Sequence, residues 1–442
     1  MPKMPVISTQ EYASRREALF EKMPANSLAI IPSAQITYRN HDTEFPFRQD
    51  SDFYYLTGFE EPNALAVLLK DEGDKTSFIL FNESPDPKTT IWTGPRAGEA
   101  VKQSHQVDIR YDIDEADKQL PELLLNRNYV YHSFAHQSEW DERLLHALTH
   151  VRYQQRRSLG LFEGFLELKP LISELRVIKS PAEIACIREA GRISGLAHQR
   201  LMRMVEPGCF EYQLEAAFVQ TTLDAGCRAM AYHPIVAGGE NACILHYNQN
   251  RAALGKNDLV LVDAGAEFRY YASDITRTYP VNGKFSSEQK ALYEVVLAAQ
   301  SAAMEIIQPG LAWRELQTQI VKTLIDGLLH LKVIKGSQAQ WLDKNAYQAF
   351  YMHGSGHWIG LDVHDPGDYV DRKNEPRTLM EDMVFTVEPG IYLSKTWEAI
   401  DAKWRGIGIR IEDDVVVTTR GHQNLTPEAP KTVEDIEAWI RQ

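Results

Sequence analysis

Residues 258–281 read DLVLVDAGAEFRYYASDITRTYPV and decide the fold of the C-terminal half of the chain. Two apolar segments meet here, which predicts a β-hairpin whose turn is centred on Phe268-Arg269. In that register Asp263 and Asp274 face each other across the strands, with Cβ atoms about 5 Å apart. Two carboxylates that close repel each other, and the apolar run before Asp263 predicts that its charge is buried. We therefore expect a cation between the two aspartates rather than acids on a solvated hairpin tip.

Helices and paired strands alternate through the rest of this half, which predicts an α+β domain with an antiparallel sheet. The first helix of the domain begins at Ser180-Pro181, where Ser is the N-cap, Pro takes the first helical position and Glu183 completes a capping box. The predicted helices are 181 to beyond 204, 211–225, 286–308 and 313–331, and the predicted strands are 258–268, 270–281, 383–392 and 406–418.

The N-terminal part is predicted to be an α/β domain with a mixed sheet, because short apolar strands alternate with helices there. Lys169-Pro170 breaks the last segment before the helix at Pro181, and a chain of 442 residues exceeds the usual size of a single core. We expect two domains, residues 1–173 and 174–442. The predicted strands of the first domain are 28–31, 64–69, 78–81 and 130–131, and its predicted helices are 8–23 and 138–149.

Charge and composition argue against several kinds of partner. The net charge is −14, which disfavours nucleic acid because phosphate binding needs a basic surface. The N-terminus has no apolar signal core, and no apolar run reaches the ~18 residues of a membrane span, so no membrane partner is expected. The four cysteines form no CxxC pair, which favours reduced thiols and a cytoplasmic location. Cys243 and His246 lack a second such pair, so a thiolate metal site is not expected.

Five side chains suited to metal binding lie in the C-terminal half. Besides Asp263 and Asp274 they are His357 in GHWIG, Glu388 in TVEPG and Glu412 in GIRIED. Four carboxylates neutralise two divalent cations, and oxygen-rich ligands with one imidazole and no thiolate favour Mn, Co, Fe or Zn. Calcium is not expected, because no acidic loop has EF-hand spacing. Two metals would lower the pKa of a water and so supply a nucleophile for hydrolysis at neutral pH.

Arg410 is predicted to lie beside one of these ligands. Isoleucines alternate with Gly408, Arg410 and Glu412, and this period of two places Arg410 and Glu412 on one face of a strand. A cation next to a ligand carboxylate can orient that carboxylate. An ion pair on an exposed sheet face is the alternative, but the nearby TVEPG motif and the aspartates favour a site.

Three histidines occur within twelve glycine-rich positions. His353 and His357 have helical spacing, but the glycines around them predict a loop, and one of the two can be a ligand. His364, in LDVHDPG, is a candidate hydrogen-bond donor to a developing oxyanion. His246, in ILHYN, precedes the aspartate strands and could approach the same site. Histidines grouped in this way indicate a functional site rather than isolated core residues.

The order Asp, Asp, His, Glu, Glu and the motifs around these residues resemble the pita-bread metallopeptidases, which include methionine aminopeptidase, prolidase and aminopeptidase P. Residues 47–59, FRQDSDFYYLTGF, resemble the N-terminal domain signature of aminopeptidase P and of long prolidases. The chain is most similar in these motifs to the bacterial aminopeptidase P family. The resemblance implies an α/β, creatinase-like N-terminal domain followed by an α+β pita-bread catalytic domain.

The resemblance also implies a cofactor, a reaction and a substrate. Two divalent ions, Mn²⁺ by family precedent with Co²⁺ or Zn²⁺ as alternatives, would be held or bridged by Asp263, Asp274 and Glu412, while His357 and Glu388 each complete one site. A hydroxide bridging the metals would hydrolyse the bond after the N-terminal residue of peptides whose second residue is proline. That bond is a tertiary amide without an N–H, so dedicated machinery for it is plausible.

Further roles come from the same resemblance. Three histidines (His246, His353 and His364) match active-site histidines that do not bind metal; Glu388 would take a proton from the bridging water, and His364 would stabilise the tetrahedral intermediate. Asp42, in the first domain, would meet Arg410. The remaining implied residues are Tyr392 and Arg372 near the substrate pocket, and Trp92 reaching a neighbouring subunit in a homo-oligomer, a dimer or tetramer.

The sequence leaves two alternative functions open. Prolidase, a dipeptidase for Xaa-Pro, shares the ligands and the two-domain plan, although the motifs GHWIGLDVHD and RGIGIRIEDD favour aminopeptidase P. A metal-free pita-bread binding module is the second alternative. Such modules typically lose ligands, whereas all five ligand positions are filled here.

Overall fold

The computed structural model describes residues 4–154, 162–371 and 373–441. Contacts divide the chain into two compact units, of which one is Ile7–Leu175 and the other contains the chain from Arg176 onward together with residues 4–6. The sequence predicts this division after residue 173. None of the helices in the described ranges combines the length and the apolar character that a membrane span requires.

The first unit is built on a mixed sheet flanked by helices, as predicted. Its strands are β1 Ser27–Pro32, β2 Tyr38–Asn40, β3 Thr43–Glu44, β4 Leu65–Lys70, β5 Thr76–Asn82, β6 Ile109–Asp112, β7 Tyr129–His132 and β8 Gly164–Glu167. Six of them form one sheet in the order β6-β5-β4-β1-β7-β8. The pairs β5–β6, β1–β7 and β7–β8 are parallel, and β1–β4 and β4–β5 are antiparallel.

Helices cover this sheet, and their ends follow local sequence signals. The first begins after Ser8, whose side chain accepts a hydrogen bond from the amide of Glu11. Buried residues of β1, β4 and β5 pack with Leu120 and Leu144 in one core. The helices are α1 Thr9–Lys22, α2 Ser51–Thr57, α3 Pro87–Thr93, α4 Val101–Ser104, α5 Ala116–Leu124, α6 Ser138–Gln154 and α7 Lys169–Val177.

The second unit is α+β with antiparallel strand pairs, as predicted. Its helices are α8 Pro181–Met204, α9 Glu211–Asp224, α10 Ser287–Glu305, α11 Trp313–His330, α12 Gln338–Leu342 and α13 Val433–Ile440. Its strands are β9 Ala229–Met230, β10 Ile235–Gly238, β11 Leu259–Asp263, β12 Ala266–Phe268, β13 Tyr271–Ala272, β14 Thr276–Pro280, β15 Val384–Val387, β16 Gly390–Leu393, β17 Ile407–Arg410, β18 Asp413–Thr418 and β19 Gly421–Asn424. The expected capping box at Ser180 is present, but α8 ends at Met204 rather than beyond it.

Each of the four strands predicted in the second unit is broken in two beside an acidic residue. Asp263 is the last residue of β11, while Asp274, Glu388 and Glu412 lie in the gaps between β13 and β14, β15 and β16, and β17 and β18. The prediction of continuous strands was wrong at these places. At Asp274, Glu388 and Glu412 the break in the ladder frees the backbone to turn the carboxylate toward Asp263, which stays paired at the end of β11.

The predicted pairing of Asp263 with Asp274 is also wrong. The hairpin turns at Arg269 and Tyr270, whose φ angles are 51° and 70°, as a two-residue turn that matches strand twist requires. The turn therefore lies one residue later than expected, and Asp263 pairs with Thr276. Asp274 enters from the break before β14 instead of from the position opposite Asp263.

Two glycines allow segments of the second unit to approach closely. A Cβ atom on Gly265 would overlap the carbonyl oxygen of Ser273, and a Cβ atom on Gly356 would overlap that of Thr386. The first contact joins the two sides of the broken β11–β14 hairpin. The second brings the loop before His357 against β15.

Candidate metal centre

A cavity of about 470 Å³ in the second unit gathers residues that are distant in sequence. All five predicted metal ligands line it, together with Arg410 and the three non-ligand histidines. The lining residues from the prediction are Asp263, Asp274, His357, Glu388, Glu412, Arg410, His246, His353 and His364.

Three of these side chains already have the spacing of a metal site. One ligand atom from each of Asp274, His357 and Glu412 lies within 4.8 Å of the other two. His357 Nε2 is 3.4 Å from Asp274 Oδ2 and 3.8 Å from Glu388 Oε1. A cation could therefore contact oxygen and nitrogen donors here with only small movements of the side chains.

The imidazole of His357 is held with the correct nitrogen toward the cavity. Its Nδ1 lies 3.1 Å from the carbonyl oxygen of Trp358, a partner that can only accept, so Nδ1 carries the proton. Nε2 is then left as the coordinating atom. The amide of His357 donates to the hydroxyl of Thr386 at 3.0 Å, which fixes the backbone of the same residue.

Arg410 and Thr276 hold two of the carboxylates. Arg410 Nη2 donates to Asp263 Oδ2 at 2.5 Å, while Asp263 Oδ1 is buried and has no hydrogen-bond partner among the described residues. The hydroxyl of Thr276 donates to Glu412 Oε2 at 2.6 Å and accepts from Arg410 Nε at 3.2 Å. The hydroxyl of Thr276 thus connects the guanidinium of Arg410 to Glu412. Oδ1 of Asp263 remains available to a metal ion.

The acidic side chains of the cavity carry more negative charge than Arg410 and His357 can balance. Burial raises the pKa of Glu388 to about 7 and raises the pKa values of Asp263 and Glu412, in part because neighbouring carboxylates repel. Burial would also raise the pKa of Asp274, but the adjacent His357 outweighs it and holds that pKa below its usual range. Three buried carboxylates and the partly buried Glu388 lie around Arg410, so the donor set fits divalent cations.

A second hydrogen-bonded chain leads from Arg410 to His353. Arg410 Nη1 donates to the hydroxyl oxygen of Tyr392 at 3.0 Å, and that oxygen lies 2.8 Å from His353 Nε2. His353 Nδ1 is 2.9 Å from the carbonyl oxygen of Gly354 and so carries the proton. Burial and the charge of Arg410 lower the pKa of His353 to about 3, which keeps its ring neutral.

Models of two known protein families match this chain. The model of metallopeptidase family M24 matches residues 185–419, and the model of the aminopeptidase P N-terminal domain matches residues 12–131. The chain belongs to metallopeptidase family M24. Its second unit is the pita-bread catalytic domain of that family, its first is an aminopeptidase P N-terminal domain, and the protein is an enzyme, as the sequence motifs predict.

Relatives of this M24 peptidase match it along its whole length. Xaa-Pro aminopeptidase of Escherichia coli is 41% identical over 438 residues, which cover 99% of both chains. Xaa-Pro aminopeptidase of Haemophilus influenzae is 42% identical and covers 99% of this chain and 98% of its own. The solved structure of Pseudomonas aeruginosa aminopeptidase PepP superposes with a TM-score of 0.96 at 44% identity, covering 99% of each chain.

His364 and His246 occupy the wall of the M24 cavity without joining the ligand group. The ring centroids of His364 and His357 are 4.3 Å apart in an edge-to-face contact. Burial and the neighbouring His357 lower the pKa of His364, which favours a neutral ring that can donate a hydrogen bond. His246 is exposed at the rim of the cavity.

Sequence reasoning missed two residues that contact Asp274, one of the predicted ligands. The hydroxyl of Tyr232 donates to Asp274 Oδ1 at 2.5 Å, and burial raises its pKa well above the ordinary value. Asp414 Oδ2 accepts the amide of Asp274 at 3.0 Å, and burial raises the pKa of this carboxyl too. Asp414 follows Glu412 closely enough to have been considered, whereas the sequence around Tyr232 carries no signal.

Three residues predicted for the site cannot be placed in it. Asp42 and Trp92 belong to the first unit and are exposed, the side chain of Trp92 to 87%. Arg372 lies outside the described residues. Their predicted roles remain predictions.

Proposed function

We propose that this M24 peptidase is an Xaa-Pro aminopeptidase, which removes the N-terminal residue of peptides whose second residue is proline. The observation that carries the proposal is the complete ligand set around one cavity, flanked by neutral His353 and His364. Full-length similarity to proteins named Xaa-Pro aminopeptidase supports the choice of substrate, because it includes the N-terminal domain.

Two divalent ions are part of the proposal, and Mn²⁺ is our choice, with Co²⁺ or Zn²⁺ as alternatives suited to the same donors. The five ligands named above would hold them: the free Oδ1 of Asp263, the Nε2 of His357 and the carboxylates of Asp274, Glu388 and Glu412. When bound, such ions would polarise the carbonyl of the scissile bond and lower the pKa of a water molecule, so that hydroxide is available at neutral pH.

Glu388 and His364 are assigned the proton-transfer and charge-stabilising steps. Glu388 lines the cavity with Oε1 3.8 Å from His357 Nε2, so its carboxylate can accept a proton from the attacking water and then release it to the leaving amine. His364 lies against His357 and can donate a hydrogen bond to the oxygen that becomes negative during attack on the carbonyl.

Arg410 and His353 line the cavity, and the buried Tyr392 behind them joins the two by hydrogen bonds that orient this machinery. The guanidinium of Arg410 fixes Asp263 through Nη2 and Tyr392 through Nη1, and Tyr392 in turn fixes the His353 ring. Because His353 is neutral and its proton is on Nδ1, its position rather than its charge serves the site.

The assembly and location of the enzyme extend the proposal. We propose a cytoplasmic homo-oligomer, a dimer or tetramer, in which Trp92 reaches a neighbouring subunit. All four cysteines are free thiols, which suits a reducing compartment. An exposed tryptophan beside an exposed Ile91 on α3 suits contact with another copy.

The experiment compares three peptides with purified, Mn²⁺-loaded enzyme. Ala-Pro-Ala should be cleaved to free alanine, Ala-Pro should be cleaved poorly, and Ala-Ala-Ala tests whether proline is required. Glu412→Ala, which removes a ligand, is the control for contaminating peptidases. Cleavage of Ala-Pro alone would replace the proposal with prolidase activity, and cleavage of Ala-Ala-Ala at an equal rate would remove the proline requirement.

A further inference from the structure

Glu211, the first residue of α9, is a fully buried carboxylate that the mechanism does not use. Its relative exposure is 0%, and in the described part of the chain no lysine or arginine forms an ion pair with it. A buried carboxylate is costly unless hydrogen bonds replace its water. A carboxylate buried at this cost in an M24 catalytic domain is expected to hold part of the fold in place or to serve the active site.

Four neutral donors satisfy this carboxylate. Glu211 Oε1 accepts from the amide of Gly238 at 2.8 Å and from Asn241 Nδ2 at 3.0 Å. Glu211 Oε2 accepts from the hydroxyl of Tyr247 and from the amide of Ala252, both at 2.8 Å. Each oxygen therefore accepts two hydrogen bonds, and every donor comes from one continuous segment, residues 238–252.

That segment forms one wall of the metal cavity. It brings Leu245 and His246 to the cavity lining, and Tyr247, the next residue, is buried in a small apolar cluster with Ala242 and Leu261. Among the described residues, none hydrogen-bonds to the imidazole of His246. The position of that ring is therefore set by its backbone, and Glu211 holds this backbone on both sides of it.

We infer that Glu211 is a positioning residue for His246, acting through Tyr247 and the segment 238–252. The inference rests on the proposed function in one respect: it takes His246, which lines the cavity and which the family resemblance makes an active-site histidine, to contact the peptide substrate of the proposed aminopeptidase. An amide cannot replace the carboxylate, because each oxygen accepts one backbone N–H. In Glu211→Gln, one of the two N–H groups would face the amide nitrogen, a second donor.

The first test measures position without using activity. Amide hydrogen exchange of residues 238–252 is compared in the metal-loaded wild type, Glu211→Gln and Glu215→Gln. Glu215 lies one turn later on α9 and accepts a single hydrogen bond from the same segment, from Asn250 at 2.9 Å, so it is the matched control. Faster exchange in Glu211→Gln alone is expected. Exchange equal to that of the wild type would overturn the inference.

The second test separates positioning from a general loss of structure. With Ala-Pro-Ala as substrate, Glu211→Gln should lower kcat/KM about 10–100-fold at unchanged metal content, as misplacement of a contact residue does. His246→Ala should lower kcat/KM as well. The double variant Glu211→Gln/His246→Ala should be close to His246→Ala alone, because both changes remove one contact. If kcat/KM of the double variant fell by the product of the two single losses, Glu211 would act independently of His246 and the inference would be rejected.

Two provisions keep the tests decisive. If Glu211→Gln does not fold, Tyr247→Phe removes only the hydroxyl donor and should change exchange and kcat/KM in the same direction by a smaller factor; wild-type values would again reject the inference. If the wild type does not cleave Ala-Pro-Ala, the proposed function fails. The exchange comparison then still decides whether Glu211 holds the His246 segment.

Discussion

His357 and Asp365 share one acceptor, the carbonyl oxygen of Trp358. His357 Nδ1 lies 3.1 Å from this oxygen and the amide of Asp365 lies 2.9 Å from it. Asp365 is itself fixed, because Arg176 Nη2 and Lys179 Nζ donate to its carboxylate at 2.6 and 3.0 Å. The loop between His357 and His364 is thus closed by backbone hydrogen bonds and buried ion pairs that do not involve the His364 ring.

Removal of the His364 ring should consequently leave the metal ligands in place. In His364→Ala we expect unchanged metal content and a kcat about 100–1,000-fold lower, the usual cost of losing one donor to a developing oxyanion. Elemental analysis and steady-state kinetics measure the two quantities. His330→Ala, at the exposed end of α11, is the control. A kcat equal to that of the wild type would remove the proposed role of His364.

Thr276→Val should weaken metal binding without removing a ligand. The variant loses the hydroxyl that donates to Glu412 and accepts from Arg410. Loss of a partner that orients a ligand typically costs about 10–100-fold in affinity, to be measured by chelator competition.

Thr278→Val provides the matched control for this change. Its hydroxyl is equally buried, but it bonds only the backbone of Arg410, at 3.0 and 3.2 Å. If both variants lost the same metal affinity, orientation of Glu412 would not be the cause.

Metal removal should destabilise the catalytic domain. The buried carboxylates of the centre repel one another in the absence of cations, and an ion that binds only the folded state adds about 2.7 kcal/mol at 100 times its dissociation constant. Addition of Mn²⁺ to the metal-free protein should therefore raise its melting temperature. Asp263→Ala should abolish that rise, and a full rise in this variant would contradict the assignment of Asp263 as a ligand.

The stability of the metal-free protein should depend on pH through Glu388. Burial raises the pKa of this carboxyl from 4.5 to about 7 in the folded state. Between those values the folded state binds more protons than the unfolded state, so stability falls as pH rises through this window. Glu388 should therefore make the change in melting temperature of the metal-free enzyme from pH 7.5 to pH 5.5 more positive, against the opposite contributions of His353 and His364, whose lowered pKa values favour the unfolded state as pH falls.

Glu388→Gln isolates this contribution, because glutamine does not titrate. The change in melting temperature from pH 7.5 to pH 5.5 should be less positive in the variant than in the wild type, as thermal melts at both pH values would show. An equal change in both proteins would assign the pH dependence to other groups.

Much of the fold could be predicted because the relevant signals are local. Capping residues such as Ser180 and Ser286 fix where helices begin, and apolar runs mark the buried strands. The four acidic candidate ligands could be named for a similar reason, since each follows or interrupts an apolar strand, whereas His357 was named from its glycine-rich motif. A carboxylate buried next to an apolar strand requires a cation or hydrogen-bond donors to offset its charge.

The register of the hairpin could not be obtained in this way. Its turn depends on Arg269 and Tyr270, both in the left-handed region, which neither residue type favours. The contact of Tyr232 with Asp274 joins residues 42 positions apart, and nothing in the surrounding sequence marks that tyrosine. Contacts of this kind result from packing of the whole domain rather than from local preference.

Gly265 and Gly356 contact no metal, yet the backbone oxygens against them leave no room for a side chain. A substitution at either would push apart the two segments that carry the ligands. In a mutational scan selected for growth on proline peptides, both positions should be as intolerant as the ligands themselves. A map of sensitivity for this enzyme would therefore extend beyond the residues that perform chemistry, to two points where main chain rests directly on main chain.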